Sequence, residues 1–267
     1  MAVADAEKAR HLIGPPITDV AGEPADQTQI DRLVERYHWT ASHCADRDVL
    51  EVACGTGQGL GLLRSRAHRL FACDLSPENL AVARRMYGRG IALVQADAQT
   101  LPFADASLDV VVLLEAIYFL PSAEAFIAEA RRILRRGGWC LVSAVNKDCP
   151  DFNPTHSLYY RCYGVVELAQ ALGEHGFVPE CHGIIPMDNP SMRRRAFKPL
   201  KRLAVKMHLM PESIRARRLL KRIVFGRLRP MPGDIAGLPA PRRVPVALGI
   251  DKPDGIHQVV LCAARRL

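Results

Sequence analysis

Val49-Leu50-Glu51-Val52-Ala53-Cys54-Gly55-Thr56-Gly57-Gln58-Gly59 is the stretch whose reading decides the fold. Val49 to Ala53 is a short apolar run interrupted only by Glu51 and reads as a short strand. Gly55, Gly57 and Gly59 then let the backbone turn tightly and approach a ligand closely. A dinucleotide fingerprint would place its third glycine three residues after the second. Here that position is Leu60, and the third glycine is Gly59. This spacing, with no evident hydride-transfer site, disfavours an NAD-type oxidoreductase. Glu51 points the same way. A carboxylate just before the turn repels a pyrophosphate and suits the positively charged end of a ligand.

On either side of this stretch the chain alternates strands and helices. A helix is expected from Gln29 to His38, with Ile30, Leu33, Val34 and Tyr37 at three-and-four spacing. His68 to Cys73 is a second strand. Ser76 and Pro77 cap and open a helix that runs to about Tyr87. Ile91–Gln95, Leu108–Leu114, Trp139–Ala144, Phe177–Ile185 and His257–Ala264 are expected as strands three to seven. Ser122–Leu134 and Tyr163–His175 are expected as helices between them. The alternation implies parallel βαβ units and a doubly wound sheet.

Acids recur at the ends of the strands. Asp74 closes the second strand, where a carboxylate can accept both hydroxyls of a ribose. Asp97-Ala98 follows the third strand, where a carboxylate and a backbone amide can read an adenine edge. Glu115 closes the fourth strand.

The ordered set resembles the class I S-adenosylmethionine-dependent methyltransferases, in particular their broad small-molecule group. The stretches that carry the resemblance are 49–57, 73–77, 95–98, Leu101-Pro102-Phe103 with Ser107-Leu108-Asp109, and 133–138. It covers about Tyr37 to Ile185 and the last strand. It implies strand order 3-2-1-4-5-7-6 with strand seven antiparallel, and S-adenosyl-L-methionine as cofactor. It further implies a cofactor-binding set of Tyr37, Glu51, Ala53, Gly55, Gly57, Asp74, Leu75, Asp97, Ala98 and Glu115. In that set Gly55 and Gly57 approach the methionyl and ribose portions, Asp74 holds the ribose, and Asp97 with Ala98 holds the adenine. Glu115 lies near the methionyl portion.

Methyl transfer from a sulfonium is an in-line displacement that depends on positioning and exclusion of water. No metal is required. A hydroxyl acceptor calls for a general base, and the candidates are His156 and Tyr118. Tyr159 and Tyr160 read as aromatic walls and His182 as a sheet residue. The expected function is transfer to a small-molecule acceptor, at oxygen. A lipid-linked or nucleic-acid acceptor, or cofactor binding without turnover, stays open.

The 267 residues are 49% hydrophobic, enough for a sizeable core. No apolar run reaches the roughly 18 residues of a membrane span, and the polar start lacks a signal-peptide core. The cytoplasm is therefore expected. The eight cysteines form no Cys-x-x-Cys pair and read as reduced, buried thiols.

The net charge of +8 is uneven: Ser191 to Arg229 carries 14 Lys and Arg against Glu212 alone, a net of +13, leaving −5 for the rest. This basic segment can be a solvated helical cap, a trap for an anionic acceptor, a membrane-surface contact or a nucleic-acid contact. The last is disfavoured, since no recognised nucleic-acid module accompanies it. The expected layout is an N-terminal arm and helix (1–40), a methyltransferase core (41–186), a basic helical insertion capping the acceptor (187–256) and a final core strand (257–267). The insertion is expected to hold helices at Arg193–Met210 and Pro211–Arg227, then a Pro/Gly-rich tail.

Overall fold

The computed structural model describes residues 21–150, 152, 160–187, 228–241 and 243–267. Its strands are β1 (Pro24–Ala25), β2 (Asp48–Val52), β3 (Arg69–Asp74), β4 (Ala92–Gln95), β5 (Leu108–Leu114), β6 (Leu134–Val145), β7 (Phe177–Pro186), β8 (Arg229–Pro230), β9 (Val246–Leu248) and β10 (His257–Arg266). Its helices are α1 (Gln27–Ser42), α2 (Leu60–Arg64), α3 (Pro77–Tyr87), α4 (Ala123–Ile133) and α5 (Val165–Glu174). The two expected insertion helices lie outside the described residues.

One eight-stranded sheet organises the fold, in the order β4-β3-β2-β5-β6-β10-β7-β9. The first seven reproduce the expected order 3-2-1-4-5-7-6, and β10 runs antiparallel to both β6 and β7. The eighth strand, β9, pairs antiparallel along the outer edge of β7. It comes from the Pro/Gly-rich tail, where no alternation announces a strand.

The sheet is double-sided, and alternation along its central strands shows it. Val110, Val112, Leu141, Val259 and Leu261 face α1. Val111, Leu113, Val142, Val260 and Cys262 face α4 and α5. Both sets are buried, as a parallel sheet covered on two faces requires.

Local signals set the helix starts. Asp26 Oδ1 accepts from Gln29 N at 3.0 Å, and Gln29 Oε1 accepts from Asp26 N at 3.1 Å. This reciprocal capping box starts α1 two residues earlier than its apolar spacing suggests. Ser76 Oγ accepts from Asn79 N at 3.2 Å ahead of Pro77, as its sequence predicts. Strand five begins at Leu134 rather than Trp139, because a register irregularity opposite Leu108 and Val110 lets the chain through Gly137 (φ +76°) stay in the sheet. No helix among the described residues is long and apolar enough to cross a membrane.

The Pro/Gly-rich tail folds back over the start of the domain. β8 pairs with β1, matching Pro24 to Pro230 and Ala25 to Arg229. Residues 228–241 then run along α1 to the glycine-rich turn.

Candidate active site

β2 delivers the glycine-rich turn to the sheet edge at which the parallel strands end. Ala53 (φ +54°), Gly55 (φ +56°) and Gly57 (φ +85°) all take left-handed backbone there. At Gly57 a Cβ would also meet Leu60, Ala83 and Tyr87 at 3.0–3.2 Å. For Ala53, a residue with a side chain, this conformation is strained, and such strain persists where the surroundings enforce it. Cys54 N donates to Cys73 O at 2.9 Å and Gly55 N to Asp74 Oδ2 at 2.8 Å. Asp74 thus ties the turn to β3. Its Oδ1 accepts from Ser76 N at 2.9 Å and from Asn79 Nδ2 at 3.2 Å. A carboxylate offers about four acceptor sites, so three are used inside the protein.

Glu51 is buried under this turn. Tyr37 Oη donates to its Oε1 at 2.5 Å, while Oε2 is buried with no hydrogen-bond partner. Burial raises the Glu51 carboxyl to about 7, against the lowering influence of the Tyr37 hydrogen bond and Arg36. Thr56 Oγ1 is likewise buried and unpaired. Two orphaned polar atoms in one cradle are costly unless a ligand satisfies them.

The remaining predicted residues extend the same edge. Leu75, beside Asp74, is half exposed although apolar. Asp97 Oδ1 accepts from Gln99 N at 2.9 Å, which rigidifies the bend after β4, and Ala98 is buried next to it. Glu115 follows β5 in left-handed backbone (φ +55°). Its N donates to Ser143 O at 3.0 Å, and its Oε1 accepts from Ser143 Oγ at 3.3 Å. Tyr118, on the single helical turn Ile117–Phe119, donates its hydroxyl to Glu115 Oε2 at 3.0 Å and is buried. Tyr160 N donates to Tyr118 O at 2.9 Å. His182 sits in β7, with Nδ1 buried and without a hydrogen bond. His156 and Tyr159 lie outside the described residues.

Three features of this edge escape sequence reasoning. Gln58 Nε2 donates to Pro232 O at 3.1 Å, and Ile235 N donates to Gln58 O at 3.0 Å, so the returning tail grips the glycine-rich turn. Asp234 stands against Gly61, where a Cβ would fall 2.5 Å from its Oδ2. At the far side, His257 Nδ1 lies 3.1 Å from Asp254 Oδ2, and the Asn146 amide donates to Asp254 O and His257 O at 2.7 and 2.9 Å. Apart from the Asp254–His257 pair, these contacts join positions far apart in sequence through backbone atoms or lone side chains, and leave no local pattern. Among the described residues no cluster of side chains suits a metal ion.

Residues 50–142 match a family described as a methyltransferase domain. A protein of Mycolicibacterium smegmatis named as a probable S-adenosylmethionine-dependent methyltransferase is 36% identical over 151 residues, covering 54% of this chain and 57% of that protein. A fatty-acid O-methyltransferase of the same organism is 35% identical over 113 residues, covering 40% and 41%. The chain spans about half the length of the curated relatives it matches. The crystal structure of a SAM-dependent methyltransferase from Thermotoga maritima superposes with a TM-score of 0.57 at 16% identity, over 89% of this chain and 91% of that one. That likeness is one of fold.

Proposed function

We propose, from the premise that the core of this chain belongs to the class I S-adenosylmethionine-dependent methyltransferases, that the whole protein transfers the methyl of S-adenosylmethionine to an oxygen of a small-molecule acceptor. The observation that carries this reading is the cradle at the end of β2. There a buried carboxylate has one orphaned oxygen, under a left-handed turn tied to a second carboxylate.

The residues present fit the donor. Glu51 Oε2 suits the ammonium of a methionyl group, which would satisfy it and restore its charge. Asp74 has one acceptor site left for a ribose hydroxyl, and releasing the long Asn79 bond would give a second. Leu75 offers an apolar face to an adenine, with Asp97 and Ala98 at its edge. When bound, S-adenosylmethionine supplies a methyl on positively charged sulfur.

The chain's part is to orient that methyl toward the acceptor and exclude water. The Tyr118 hydroxyl can accept a proton from an acceptor hydroxyl while passing its own to Glu115. His156 stays a second candidate base. The basic stretch Ser191–Arg229 supports capture of an anionic acceptor. In that case Arg193, Arg194 and Arg195 changed to Gln raise the acceptor's KM and leave donor affinity unchanged.

Titration calorimetry with S-adenosylmethionine, S-adenosylhomocysteine and NAD tests the donor. Both sulfur nucleotides are expected to bind, and NAD is not. A protein that shows neither heat nor thermal stabilisation with either sulfur nucleotide would overturn the reading.

A further inference from the structure

A cavity of about 710 Å³ opens between α1 and the returning tail. That volume falls within the roughly 300–1,000 Å³ of small-molecule pockets. Ile30 and Val34 form one wall, and Pro230, Pro232, Leu238 and Pro239 the other. Charges sit in balance around it: Asp31 and Glu35 on the helix, Arg229 and Arg243 on the tail. The lining therefore carries no net charge, and its larger part is apolar.

Its place in the fold gives it a purpose. Ile30, Val34 and Tyr37 share one face of α1 at spacings of four and three residues. Tyr37 holds Glu51, so the face of α1 that walls the cavity at Ile30 and Val34 carries, three residues on, the side chain that holds the buried carboxylate of the donor cradle. On the opposite wall, Pro232 accepts the hydrogen bond from Gln58 of the glycine-rich turn. Both walls are thus anchored to the cradle, by different residues.

We infer that this cavity receives an apolar chain of the methyl acceptor, which makes the acceptor an amphipathic molecule of fatty-acyl character. The inference rests on the methyl-transfer reading and names its substrate class. Burying such a chain removes apolar surface from water, so the cavity can supply much of the acceptor's affinity. An environment-sensitive fatty acid, 11-(dansylamino)undecanoic acid, is the probe.

The wild-type chain is expected to bind the probe saturably, with a blue-shifted emission that dodecanoic acid reverses. Leu238→Glu puts a charge in the cavity, and Pro239→Trp fills it from an exposed position. Each is expected to weaken the probe at least tenfold while S-adenosylhomocysteine affinity stays within twofold. Pro239→Trp decides the matter if Leu238→Glu fails to fold. No binding of the probe by wild type, or equal binding by a folded variant, would overturn the inference. So would a matched loss of S-adenosylhomocysteine, which would make the cavity part of the donor pocket. Wild type that takes the probe but neither sulfur nucleotide would overturn the methyl-transfer reading instead.

Discussion

The Tyr37 ring occupies the space that a side chain at position 59 would need: a Cβ built on Gly59 falls 1.9 Å from Tyr37 Cε1. The ring cannot swing aside without breaking its hydrogen bond to Glu51. Gly59 is therefore required by α1 rather than by its own backbone angles. Gly59→Ala should lower stability by roughly 1–3 kcal/mol, as overpacking does. Adding it to Tyr37→Ala should cost almost nothing further. A double-mutant cycle by thermal melting checks this, and additive losses would separate the two positions.

The pH dependence of Glu51 has a definite sign. Its folded carboxyl lies at about 7, above the ordinary 4.5, because burial disfavours the charged form. Stability from this group is complete below about pH 4.5, declines as pH rises toward 7, and is flat above, a total of roughly 3 kcal/mol. Glu51→Gln should remove that decline from the donor-free protein. A bound ammonium favours the ionised carboxylate, so S-adenosylhomocysteine affinity should rise between pH 6 and 8 with release of a proton. Calorimetry in two buffers of different ionisation enthalpy reads that proton. Affinity independent of pH would remove Glu51 from contact with the ligand.

Asp74 serves the fold and the proposed ribose site together, and two substitutions separate these roles. Asp74→Asn keeps an acceptor for Gly55 N and should leave the melting temperature near wild type. Losing a charged acceptor should still weaken S-adenosylhomocysteine roughly tenfold. Asp74→Ala also frees the Gly55 amide, and should lower both affinity and melting temperature. Unchanged affinity in Asp74→Asn would take the residue out of the donor site.

A second carboxylate titrates the opposite way. Asp48 lies at the start of β2, far from the cradle. It is clamped by Arg69, with Nε and Nη2 at 2.7 and 2.5 Å, and by Arg135 and His68. The Arg69 hydrogen bonds hold its carboxyl well below the usual range. The stability it contributes is present above about pH 4, the unfolded value, and is lost as pH falls further. The wild type should lose melting temperature between pH 5 and 3 more steeply than Asp48→Asn. Parallel acid limbs would show that the clamp is isoenergetic with solvent.

What the sequence made legible follows from how local each signal is. The β2 turn, the Ser76 cap and the double-sided strands are written within a few residues of themselves, and the sheet order followed. Asp74 was legible as an acid at a strand end. Its bond from Gly55 was not, since Gly55 becomes its partner only once β3 and the turn are adjacent; those from Ser76 and Asn79 are local but depend on how the chain bends into α3. The tail was the least legible. Pro232 and Met231 act through backbone atoms, which any residue supplies, and β9 is three residues long. The Asp254–His257–Asn146 cluster brings two remote segments together, and neither His nor Asn has a pattern that foretells it.

The pairing of β1 with β8 has a kinetic side. It joins positions about two hundred residues apart, and its two short strands return little for the loop-closure entropy they require. Such contacts form late in folding and open early in the native state. The amides that close them, Gly22 to Met231 O, Met231 to Glu23 O and Ile235 to Gln58 O, should exchange with deuterium long before those of β5 and β6. One wall of the cavity would then come and go on the timescale of local unfolding while the sheet beneath stays intact. A long-chain ligand could thus enter sideways, by the parting of a seam, without threading through a mouth.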